Sequence, residues 1–149
     1  MKSVVIIRHH RERVSKCTLQ PLINRPGMTF LKSQPNFSFD ATGFILLSVN
    51  APELTHKDSV HPLLILDSTW KLLAQLRATL QGTPIERSIP SYVKTAYPRS
   101  SKIFQDPYNG LASIEALYLA LKILGREDIS ILSGYHWKKT FLKNLSMCT

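Results

Sequence analysis

The tetrad Asp67-Ser68-Thr69-Trp70 places a carboxylate, two hydroxyls and an indole directly after the aliphatic run Leu63-Leu64-Ile65-Leu66. Such a run reads as a strand buried on both faces, and open α/β sheets bind ligands where their strands end. A carboxylate at that edge has two uses. It can cap the helix that follows, which stabilises by about 1 kcal/mol, or it can orient a ligand at a crevice. Spacing favours the cap. Trp70 falls on the first turn of that helix, where an indole packs into the core or against a ligand, and spacing leaves both open. Glu115 falls on the first turn of a later helix, where a carboxylate complements the helix dipole and needs no other role.

Charge narrows the partner. Nineteen Lys and Arg against ten Asp and Glu give 149 residues a formal net charge of +9. That excess favours a polyanion through phosphate neutralisation and counterion release, with nucleic acid ahead of an anionic membrane surface or plain solubility. The cations are grouped: Arg8, Arg11, Arg13 and Lys16 follow the first apolar run, and Arg87, Lys94, Arg99 and Lys102 surround Tyr92 and Tyr97. These two groups are the candidate RNA contacts, and Lys138, Lys139 and Lys143 form a third basic stretch. His9-His10 beside Glu12 offers metal-ligating atoms. Neighbouring residues on a strand point apart, however, and few other ligands are evident, so the pair reads as solvated or RNA-facing and no metal is expected.

Three apolar runs are the candidate strands: Val4 to Ile7, Gly43 to Val49 and Leu63 to Leu66. A short helix is expected within Thr18 to Asn24, broken by Asn24 to Gly27, with loops at Gln34-Pro35-Asn36 and Asn50-Ala51-Pro52. Trp70, Leu73, Leu76 and Leu80 keep helical spacing up to Gly82. A second helix is expected from Ser113 to Gly125, and a basic one from Tyr135 to Leu145. Strands first and helices later place a boundary near Arg87, dividing an α/β lobe at 1–86 from a helical lobe at 87–149. Two cysteines without Cys-x-x-Cys spacing, no leader-like start and no apolar run near the roughly 20 residues of a membrane helix point to a soluble, cytoplasmic protein, and a monomer is expected. Gly-rich phosphate loops, Gly-x-Ser-x-Gly elbows and His-Glu-x-x-His helices are absent, which excludes the enzyme classes built on them.

Taken in order, Leu66-Asp67-Ser68-Thr69-Trp70, Arg87-Ser88-Ile89-Pro90 and Leu111-Ala112-Ser113-Ile114-Glu115-Ala116-Leu117 resemble the TDD superfamily of RNA aminocarboxypropyltransferases. Lys16-Cys17-Thr18 with Leu22, and Trp137, Phe141 and Asn144, look like elements of its ribosomal RNA branch. Ile7-Arg8-His9-His10-Arg11-Glu12 and Tyr97-Pro98-Arg99-Ser100-Ser101 look like elements of its DTW-domain branch, which acts on transfer RNA. Two features depart from the ribosomal branch: Leu19 stands in place of its glycine, and Lys94 to Ser101 replaces its Asn-Tyr-Gly loop.

The resemblance implies a SPOUT-like, trefoil-knotted α/β lobe followed by a small helical lobe, with S-adenosylmethionine in the cleft between them. It implies transfer of the 3-amino-3-carboxypropyl group to a uridine-type nucleotide of rRNA or tRNA. Thr18 and the backbone of Ser113 would hold the carboxylate of the transferred chain, Leu66 the ribose, and Ile89 and Asn109 the adenine. Trp70 would pack on the methyl end, and Asp67 would order the loop or assist loss of the N3 proton. A SPOUT-type methyltransferase and a non-catalytic RNA-binding or ribosome-assembly factor are the alternatives.

Overall fold

The computed structural model describes residues 3–11, 18–68, 70–90, 93–96 and 111–147, except the side chains of 70 and 71. The candidate residues Arg13, Lys16, Arg99, Lys102 and Asn109 lie outside this set, as does the side chain of Trp70.

The aliphatic runs form the centre of a parallel sheet. Strands β1 (Val4–Arg8), β2 (Met28–Lys32), β4 (Ile45–Leu47), β5 (Leu63–Asp67) and β7 (Ile85–Arg87) are ordered β2-β1-β5-β4-β7, and every neighbouring pair is parallel. All residues of β1, β4 and β5 are buried, as expected of strands covered on both faces. The edge strands β2 and β7 mix half-buried and exposed positions, with Thr29, Lys32 and Glu86 facing water. Their polar positions explain why apolar periodicity misses them. A separate two-stranded parallel pair joins β3 (Phe39–Asp40) to β6 (Leu80–Gln81).

Alternation along the strands sorts the core into two layers. Val5, Ile7, Leu46, Leu64 and Leu66 face helix α1 (Trp70–Arg77), packing with Leu73, Leu76, Leu80 and the rings of Phe37, Phe39 and Phe44. Val4, Ile6, Ile45, Leu47, Leu63 and Ile65 face helix α2 (Ser113–Ile123) and helix α3 (Lys138–Ser146). Among the described residues, the helices beyond residue 87 thus share one hydrophobic cluster with a face of the sheet. Each fully buried Leu or Ile contributes about 1.5–3 kcal/mol.

Helix α1 stops at Arg77, earlier than the spacing of Leu80 implies. Leu80 belongs instead to β6, opposite Phe39, because Phe39 N–H is held by Thr79 C=O and Ala41 N–H by Gln81 C=O. Gly82 closes this turn at φ 76, where a Cβ would stand 2.0 Å from Thr42 Oγ1. Helix α2 ends as expected at Gly125, which adopts φ 77 while Arg126 N–H reaches back to Leu121 C=O at 2.8 Å. The turn before β2 is a single 3₁₀ turn, Gln20–Leu22, with Pro21 inside it and Asn24 in the left-handed region just after.

Candidate ligand site at the strand ends

Because the main strands are parallel, their C-terminal ends meet on one rim. Register sets Arg8 opposite both Lys32 and Asp67, and Leu47 opposite Arg87. Arg8 Nε donates to Asp67 Oδ2 at 3.1 Å, and both side chains are about nine-tenths buried. The guanidinium also lies 5.9 Å from the Phe30 ring centre. Arg8 therefore departs from its expectation as a surface phosphate contact: pairing across β1 and β5 commits its charge to Asp67. The same pair gives Asp67 a structural duty beyond the helix-capping one expected of it.

His9 and His10 also depart from expectation. The strand ends at Arg8, so the two rings are not held on opposite faces; they stack with centres 4.5 Å apart and planes 20° apart. His9 is 2% exposed rather than solvated. Its Nδ1 accepts the Arg11 backbone N–H at 3.1 Å, and its Nε2 lies 3.1 Å from Gln75 Oε1, which also accepts from Arg11 Nη2. That pattern fixes the proton on Nε2. Exposed His10 is held below its ordinary pKa, first by loss of solvent around the ring and then by repulsion from His9, Arg11 and Lys32. Among the described residues, no group of three or more His, Cys, Asp or Glu could hold a metal.

On the other side of the rim, Arg87 Nε lies 3.2 Å from both oxygens of Asp58, a buried carboxylate in the 3₁₀ turn His56–Val60. Arg77 of α1 bonds Glu86 Oε1 at 2.5 Å and Ser48 Oγ at 3.2 Å, joining the helix to β7 and to the residue that follows β4. The Arg77 guanidinium, and then the Ser48 hydroxyl, hold Glu86 below its ordinary pKa. Among the described residues expected to contact RNA, Arg11 and Lys94 are exposed.

Thr18 and the start of α2 meet although they are 96 residues apart: Ile114 N–H donates to Thr18 Oγ1 at 3.1 Å. Ser113 and Thr18 are both half-buried, between the fully buried Leu19 on one side and Ala112 and Ile114 on the other. The Thr18 hydroxyl accepts from the helix and keeps its own proton to donate. Leu66 and Ile89 are 4% and 1% exposed, with side chains placed in the two core clusters, so those side chains serve packing.

Spacing missed the importance of Glu115. It is fully buried and accepts four hydrogen bonds: from Ala112 N–H at 2.8 Å, Ala96 N–H at 2.9 Å, Thr95 Oγ1 at 2.5 Å and Tyr135 OH at 3.0 Å. Asn144 of α3 holds the same segment, donating from Nδ2 to Lys94 C=O at 3.0 Å. The one signal available in the sequence was its place three residues after Ala112, where an acidic side chain can reach back to the first free N–H. Phe141 is fully buried edge-on to Tyr118, and Trp137 packs against the main core, so both serve packing.

No family model matches the chain, and no curated protein matches its sequence. Among solved structures, it is similar to the SAM-dependent rRNA:acp-transferase Tsr3 from Vulcanisaeta distributa, at 26% identity and a TM-score of 0.71, over 99% of this chain and 82% of that one.

Proposed function

We propose that this protein is an RNA aminocarboxypropyltransferase of the TDD superfamily, using S-adenosylmethionine to modify a uridine-type nucleotide in rRNA or tRNA. The observation that carries the reading is the junction of Thr18 with the first turn of α2, seen in a chain similar to a SAM-dependent rRNA:acp-transferase. The donor set fits the cofactor's amino-acid end. A hydroxyl with a proton to give, beside a helix N-terminus, suits a carboxylate.

In this reading residues 1–86 form a SPOUT-like, knotted lobe and 87–149 complete the cleft. Thr18 and the Ser113 backbone hold the carboxylate, the backbone of Leu66 the ribose, and Ile89 and Asn109 the adenine. Trp70 packs on the methyl end. When bound, the cofactor supplies a sulfonium, and the carbon held in line with the nucleophile is the one transferred. Asp67, tied to Arg8, orders the strand end below Trp70; its engagement by a guanidinium supports this duty over acceptance of the N3 proton. Arg11, Arg13, Lys16, Lys94, Arg99 and Lys102 face the RNA in this reading, whereas Arg87, expected there too, is held by the buried Asp58.

Calorimetry with S-adenosylmethionine, followed by mass spectrometry of RNA from cells with and without the gene, tests it. The expected results are measurable binding, weakened at least tenfold in Thr18→Val, and loss of a uridine carrying the aminocarboxypropyl mass. Loss of a methyl mass instead would assign a methyltransferase. A folded protein without affinity for the cofactor would leave a non-catalytic RNA-binding factor.

A further inference from the structure

We propose that the exposed side of α3, together with the 94–96 segment, is the surface on which the RNA backbone docks, with Lys94, Lys139 and Lys143 as its phosphate contacts. The inference rests on the RNA reading above and adds where the RNA is gripped.

Helix α3 carries Lys138, Lys139 and Lys143 and no acidic residue. Lys139 and Lys143 are one turn apart and exposed, while Phe141 and Leu145 hold the opposite side of the helix in the core. Lys94, also exposed, is brought to the same helix because Asn144 grips its carbonyl. Among the described residues, five acids form ion pairs, Asp67 with Arg8, Asp58 with Arg87, Glu86 with Arg77, Asp128 with Arg25 and Glu127 with Lys122, while Glu115 is fully buried beneath the 95–96 segment. None of them forms an ion pair with Lys94, Lys139 or Lys143. Like charges gathered without counter-ions repel one another, and a polyphosphate chain removes that repulsion.

The surface also lies at the right end of the molecule. Glu115 binds Thr95 and Ala96, and it sits in the first turn of α2, where the N–H of the preceding Ile114 is held by Thr18. Lys94 therefore adjoins the end of α2 proposed to face the cofactor. Lys122 stands at the other end of α2, where Gly125 abuts His56, beside Lys57. An RNA strand lying across α3 and residue 94 would deliver a base into the cleft.

The test compares Lys139→Glu/Lys143→Glu with Lys57→Glu/Lys122→Glu, two folded-protein variants of identical net charge. Their affinity for a fluorescein-labelled small-subunit rRNA hairpin is read by anisotropy over a salt series, and S-adenosylmethionine affinity is read by calorimetry. The α3 variant should bind the hairpin at least tenfold more weakly, with a salt slope reduced by about 0.7 for each lysine lost, and bind the cofactor unchanged. The remote variant should change hairpin affinity less than threefold. Equal losses in both variants would reduce the effect to net charge and overturn the docking face. Wild type binding the hairpin with a steep salt response, and the α3 variant matching it, would overturn this inference alone. Wild type holding the cofactor but no hairpin would overturn the RNA reading as well.

Discussion

Asp67 and Glu115 are both buried carboxylates, and the fold accommodates them differently. Asp67 ends a strand of the sheet and pairs with Arg8 across a strand pair. Glu115 opens a helix and is surrounded by four dipolar donors, two backbone N–H groups and two hydroxyls. A buried anion must be matched either by an opposite charge or by several hydrogen bonds. The first solution uses two side chains set by strand register. The second gathers residues 95–96, 112 and 135 around one point, so it ties the 95–96 segment to the start of α2 and to Tyr135.

The largest effect is expected at the charge-matched site. Arg8→Met leaves Asp67 buried without its guanidinium and should destabilise the protein by about 3–5 kcal/mol in urea unfolding. Arg8→Met/Asp67→Leu should recover most of that loss, since the pair itself adds little over apolar packing. A double variant no more stable than the single one would break the comparison.

Glu115→Gln comes next. The amide keeps the volume but turns one acceptor into a donor facing other donors, and a loss of about 2 kcal/mol is expected. Amide hydrogen exchange at Ala96 should accelerate as well, whereas Arg8→Met should leave it slow. If both variants released Ala96 equally, the two carboxylates would not be independent. Removing single partners tests the same hub more gently: Tyr135→Phe and Asn144→Ala should each cost about 1 kcal/mol. Asn144→Ala should also weaken hairpin binding slightly, because Lys94 loses its anchor.

The smallest effect comes from the exposed pair Arg77 and Glu86. Glu86 is held below its ordinary pKa by Arg77, so the folded state binds its proton more weakly than the unfolded chain does. The stabilisation is present above the ordinary carboxylate range and is lost as pH falls through the folded value. Melting temperatures across mildly acidic pH should therefore fall less steeply in Arg77→Met than in the wild type. Identical slopes would show that screening by water removes the interaction.

Continuous burial made β1, β4 and β5 legible, because strands covered on both faces read as unbroken apolar runs, with Arg8 and Asp67 only at the strand ends. The helix from Ser113 to the Gly125 turn was legible for a similar reason: local spacing and a terminating glycine act within a few residues. Edge strands β2 and β7 were not, since one side of each meets water and its composition resembles a loop. Leu80 misled by phase alone, keeping the period of α1 while pairing with Phe39 in a strand. For the site, the Asp67 edge was visible, but the burial of Arg8, the stacking of His9 on His10 and the hub at Glu115 were not.

The amino-acid sequence by itself determined which segments are apolar enough to be central strands, where helix α2 begins and ends, and that the chain carries a large positive charge. Those properties depend on neighbours in the chain and on composition. Only the tertiary structure decided which cations are surface groups and which are counter-ions, and that Thr18 meets the start of α2. Such pairings depend on strand register and on contacts between segments as far apart as the 96 residues from Thr18 to Ile114 and the 103 from Arg25 to Asp128, distances over which side-chain identity carries no local signal.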